Sequence, residues 1–169
     1  MKTFAQTHME QYPARPKATQ EDFLNAAQKV EKSLSEYADW ENDCKGLAAA
    51  IAATPGAHLM DGYELAKALE RSMARFDPDA IAVEELNCYG PLVRGLQEKR
   101  QTLWACENKV QAPHPIGTKL REGTITDLNK YGSAEYLVDF GHRHARQVIK
   151  YEDAVTQQEQ EASNHQAAH

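Results

Sequence analysis

Apolar positions recur along this chain at two different periods. From Phe23 to Ile51, and again from Tyr63 to Leu103, they fall three and four residues apart; from Ile116 to Tyr151 they fall two apart. The first spacing is that of one helix face and the second that of one strand face, so the chain reads as helices followed by strands. Phe23, Ala27, Val30, Leu34 and Tyr37 open a seam that Cys44, Leu47, Ala48 and Ile51 resume beyond Trp40. It predicts one helix from about Gln20 to Ala53, capped by Thr19 and reaching on the order of 50 Å at 1.5 Å per residue. Gly46 is its weak point. A stripe this long and narrow needs a partner helix along its whole length, in a helical hairpin, a coiled coil or a homodimer joined through the seam. Thr54-Pro55-Gly56 stops it. Asp61 with Glu64 has capping-box spacing and opens a second helix carrying Leu65, Ala66, Leu69 and Met73. Asp77-Pro78 reads as N-cap and first helical residue of a third helix through Ala82, Leu86, Tyr89, Val93 and Leu96. Gly90-Pro91 should break or kink that helix, since an interior proline costs about 3 kcal/mol.

The strand-like stretch has four short runs. Ile116, Thr118 and Leu120 alternate first; Gly123–Leu128 is the second run; Tyr136, Val138 and Phe140 alternate in the third; Arg146–Tyr151 is the fourth. Gly and Asn clusters separate them, as in hairpins. Strands so few and short are most economically closed into a small barrel that hides its edges. The order GTKLREGTITDLN, AEYLVDFG, RQVIKYEDA resembles an SH3-like small barrel of the Tudor or KOW kind, over about a quarter of the chain. The resemblance implies a basic entry strand, a G-x-I strand, a Y-x-V-x-F strand and a final strand closed by a short acidic turn. Tudor-type readers of methylated residues need an aromatic cage. Tyr131, Tyr136, Phe140 and Tyr151 supply rings, but alternation sends Tyr136 and Phe140 to the core face.

The predicted fold is therefore α+β: an N-terminal antiparallel helical hairpin or bundle, then a C-terminal SH3-like barrel. The expected organisation is an arm over 1–18, disordered or lying against the body; a helical domain over 19–111; a barrel over 112–155; and a disordered or frayed helical tail over 156–169. The prolines of Gln111–Pro115 suggest a semi-rigid linker.

Charge narrows the function. The net charge is −6, with −6 in residues 19–111, zero in 112–155, +2 in 1–18 and −2 in 156–169. A general polyanion binder would carry a basic field instead. Cys44, Cys88 and Cys106 lack C-x-x-C spacing and read as free, buried thiols of a cytoplasmic protein; no apolar run approaches a membrane span. No cofactor motif is present.

The carboxylate pairs Glu84-Glu85 and Asp39/Asp43 fall on solvated helix faces, which makes general acid–base chemistry an unfavoured reading. His142-x-His144 could share a metal only with a third ligand that the neighbouring sequence does not offer. The richest constellation is His142-Arg143-His144-Ala145-Arg146, a cationic spot on a neutral barrel, suited to phosphates or to a carboxylate cluster on a partner. Lys130 and Tyr131 of the preceding turn complete the candidate binding set. Its bland counterpart is a solvated loop with an arginine paired to Glu135 or Asp139 across the hairpin. The expected function is non-catalytic protein binding, as adaptor or inhibitor. By analogy, small acidic proteins of phages and mobile elements act in this way on host machinery. The alternatives are a nucleic-acid-associated protein contacting phosphates through the barrel loops, and a structural component of a larger assembly.

Overall fold

A computed structural model describes residues 2–37, 40, 44–73, 76–130, 132–141 and 146–167, without the side chains of 163 and 165–167. The architecture is α+β, with helices α1–α7 and a small antiparallel sheet. It divides into two compact units, Pro16–Arg100 and Met1–Arg15 with Gln101–His169, the division falling inside one helix.

The first unit is helical. α2 (Gln20–Ser35) starts at a full capping box between Thr19 and Asp22. The single helix expected from Gln20 to Ala53 is instead two. α2 ends at Ser35 and α3 (Leu47–Ala53) begins after Gly46, whose φ of 85° only glycine adopts without strain. The physical reason is tertiary: Glu31 of α2 accepts the Ala48 amide at 2.7 Å, so one helix caps the other. The seam folds on itself, and Val30 and Leu34 of α2 share one buried core with Leu47, Ala48 and Ile51 of α3. The two halves of the predicted helix thus pair with each other, and not as one long helix with a separate partner. The coiled coil and the homodimer through this seam are corrected, because the apolar stripe is consumed within one chain: Leu34, Leu47 and Ile51 are 0% exposed.

α4 (Gly62–Ser72) begins at the predicted box of Asp61 and Glu64. α5 (Ala80–Asn87) is capped by Asp79, not Asp77: the Asp79 carboxylate accepts the Ala82 amide at 2.8 Å. Asp79 also receives the Trp40 indole N–H (3.4 Å), which ties this cap to the core. α6 (Tyr89–Glu107) follows at once. The predicted break therefore lies at Cys88, and Pro91 sits in the first turn of α6, where its missing amide has no helical partner to lose. At Gly62 the backbone of α4 meets α5 so closely that a Cβ would stand 2.1 Å from the Val83 carbonyl oxygen.

The second unit holds β1 (Thr124–Leu128), β2 (Glu135–Asp139) and β3 (Arg146–Lys150), antiparallel in the order β1-β2-β3. The expected alternation is present: Ile125, Tyr136 and Val138 are buried, and Phe140 packs partly against them. The strands form an open three-stranded sheet; a closed barrel is not shown. The run from Ile116 to Leu120 is not a strand but makes two isolated bridges, Lys119 to Thr124 and Leu120 to Thr156.

The arm packs on the sheet and the tail is helical, each one of its two expected forms, whereas the linker departs from its expected role. Within residues 1–18, α1 (Phe4–Met9) forms on a Thr3/Gln6 capping box, and Ala5 is part of the sheet core. Arg15 fastens the arm: its guanidinium donates to both carboxylate oxygens of Glu152 and to the carbonyls of Ser133 and Ala134, at 2.6–2.9 Å. Trp104 lies under that guanidinium at 5.4 Å and donates its indole N–H to the Pro13 carbonyl. Gln111–Pro115 is not a linker. Tyr12 and His8 bond the backbone of Gln111, and His114 is buried, its backbone exchanging two hydrogen bonds with the Tyr136 hydroxyl. The tail forms α7 (Gln157–Ala167), started by Thr156 and Glu159. Burial works to raise the Glu159 carboxyl, but the amide of Phe4 and the amide and hydroxyl of Thr156 hold it below the usual carboxylate range.

Candidate interaction surface

β3 reads Arg-Gln-Val-Ile-Lys. Alternation puts Arg146, Val148 and Lys150 on one face and Gln147 and Ile149 on the other. The register with β2 sets Arg146 opposite Asp139, Val148 opposite Leu137 and Lys150 opposite Glu135. The outer face of this strand pair is thus an apolar step, Leu137–Val148, bracketed by two opposite-charge pairs. Val148 is 51% exposed, large for a β-branched residue in the middle of a strand.

The two sheet edges are unlike. Beyond β1, the Lys119–Leu120 segment runs alongside: the Ile125 amide donates to Thr118 and the Gly117 amide to Ile125. Beyond β3, no described residue pairs with the backbone of Arg146–Lys150. An antiparallel strand paired on one side leaves alternate amides and carbonyls pointing outward, a template for a further strand.

The predicted site residues separate on this frame. Arg146 stands at the start of β3, exposed, at the Asp139 end of β2. Lys130 lies in the β1–β2 turn, at the Glu135 end. Four residues of strand, roughly 13 Å, divide the two ends, so they do not form one cluster. His142, Arg143, His144 and Tyr131 lie outside the described residues. Sequence reasoning missed Lys150, although its period-two relation to Arg146 and Val148 carries the signal. Two of the rings weighed for an aromatic cage face the core, Tyr136 as alternation expects and Tyr151 beside it. Tyr136 and Tyr151 are buried and packed together with centroids 4.5 Å apart. Burial, opposed by the hydrogen bond with the His114 backbone, pushes the Tyr136 hydroxyl up to about 12.

Of the three thiols expected to be buried, only Cys44 is; Cys88 and Cys106 are exposed, and no disulfide joins them. Glu84 is exposed and Glu85 half-buried; Asp39 and Asp43 lie outside the described residues. Among the described residues no three His, Cys, Asp or Glu side chains converge on a metal position, and no helix is long and apolar enough to cross a membrane. No protein-family model, no curated protein and no solved structure matches the chain.

Proposed function

We propose that this protein is a non-catalytic interaction module, an adaptor or inhibitor, which takes an extended segment of a partner protein onto the free edge of β3. The observation that carries the reading is the contrast between the two sheet edges, one covered by residues 117–120 and the other unpaired among the described residues. Strand addition draws affinity from main-chain hydrogen bonds and specificity from alternate side chains. Here those side chains are Arg146, Val148 and Lys150, which favour a segment with acidic residues on either side of an apolar one. The sheet itself is read as part of an SH3-like small barrel. The 3-10 turn Tyr151–Asp153 and the bridge from Leu120 to Thr156 support that reading, since they bring the ends of the strand-rich stretch together.

The test uses Val148→Lys, a lysine at the middle of the bare edge. Val148 is exposed, so the fold should survive, while strand addition should be blocked. A partner captured by the wild-type chain after nuclease treatment should protect the amides of 146–150 from hydrogen exchange and should be lost with Val148→Lys. Capture that needs nucleic acid, or binding that ignores Val148→Lys, would remove the proposal.

A further inference from the structure

The helical unit contains a second surface that the sheet edge does not explain. Along α6, Pro91, Leu92, Gly95, Leu96 and Lys99 recur at spacings of one and three, which places them on a single face. With Lys29 of α2 and the end of α5 at Glu84, Asn87 and Cys88, this face lines a groove of about 580 Å³. That volume is in the range of small-molecule sites, which run to roughly 300–1,000 Å³. The floor is apolar. At Gly95 a Cβ would meet nothing within 4 Å, so a side chain's worth of space stands open above the helix backbone.

The rim is cationic in a unit that is otherwise acidic. Lys29 and Lys99 are exposed, and neither makes an ion pair or hydrogen bond among the described residues. Two other bases of the same unit are engaged: Lys67 holds Glu70, and Arg100 holds Asp22. Two unengaged ammonium groups against the one carboxylate of Glu84 leave the groove with a net positive rim. A nucleic acid would answer the charge but not the apolar floor. A neutral apolar molecule would answer the floor but not the lysines.

We infer that this groove binds a small anionic amphiphile of the fatty-acid carboxylate class, its head between Lys29 and Lys99 and its chain over Leu96, Gly95 and Leu92. Charge complementarity gives the head its place, and area removed from water holds the chain. Binding here is independent of strand addition at β3.

The cysteines supply the reporter. Cys88 lines the groove and is exposed; Cys106 is exposed and belongs to the other unit. In the full chain, alkylation of each thiol by N-ethylmaleimide is followed by mass spectrometry, with dodecanoate below its micelle concentration as the probe. At ten times its Kd, dodecanoate should slow Cys88 by about tenfold and leave Cys106 unchanged. Dodecyltrimethylammonium, with the same chain and opposite charge, should not protect. Lys29→Glu with Lys99→Glu should abolish the protection without altering the circular dichroism. Gly95→Leu, which fills the open space, should weaken it in a folded protein. The proposal is overturned by unprotected Cys88, by equal protection from the cationic probe, or by protection that survives the double reversal. It is equally overturned if only an acidic amphipathic peptide protects, which would make the groove a helix-docking site.

Discussion

Gly62 decides how closely two helices approach. Its amide donates to the Asn87 side chain, and the Val83 carbonyl oxygen lies where a Cβ would go. The obstacle is backbone, which cannot swing aside as a side chain would. Gly62→Ala should destabilise the helical unit by about 1–3 kcal/mol despite the better helix propensity of alanine, as urea denaturation would report. Stability equal to wild type would mean that α4 and α5 are looser than described. This role was not legible in the sequence, where Gly62 is one more residue after a cap. Ala134 was equally silent. It holds a left-handed φ of 55°, a conformation that Arg15 and the Tyr151 amide secure through its carbonyl. Neither residue type announces such a position, because the constraint comes from atoms far off in sequence.

Elements show a sharper division between what local chemistry decides and what it does not. The starts of α2 and α4 were legible, since Thr19/Asp22 and Asp61/Glu64 each satisfy helix amides within four residues. The gap between α2 and α3 was not: the seam keeps its period across it, and the reversal is secured by Glu31 reaching from one helix to the other. For the candidate site, alternation correctly set Val138 inward, opposite to the face of Arg146. Which strand lies at a bare edge, however, is a matter of sheet order, and no run of five residues contains it. The cap of α2 also carries a pH dependence. Asp22 is held below the usual carboxylate range by its hydrogen bond from Arg100, with burial opposing and Thr19 assisting. A folded value below the unfolded one stabilises the fold above the unfolded pKa, about 4, and that contribution is lost as pH falls through the folded value. Melting temperatures below about pH 4 should therefore fall less steeply in Asp22→Asn than in wild type. Parallel curves would show that Asp22 is not coupled to folding.

On the scale of the molecule, the net charge of −6 and the lack of a basic field fit poorly with a general nucleic-acid binder. The larger surprise is that the sheet unit is assembled from both sides of the helical one in sequence, 1–15 and 101–169. The chain from 101 onward thus lacks Ala5 in its core and the Arg15 bonds to Glu152, Ser133 and Ala134. A fragment of residues 101–169 should melt without cooperativity, and a synthetic peptide of residues 1–15 should restore a cooperative transition. The same peptide with Arg15→Met should fail, because it loses the partly buried pair with Glu152 and both bonds to the Ser133 and Ala134 carbonyls. A fragment that melts cooperatively alone would show the arm to be an ornament. The arrangement also imposes a timetable on synthesis. Arg15 and Glu152 are 137 residues apart, so at roughly 5–20 residues per second the arm waits about 7–27 s for its anchor to be made. The helical unit, continuous in sequence, can close during that interval, while the apolar side of α1 stays uncovered. A chaperone that favours short apolar segments would find one there before the sheet arrives to displace it.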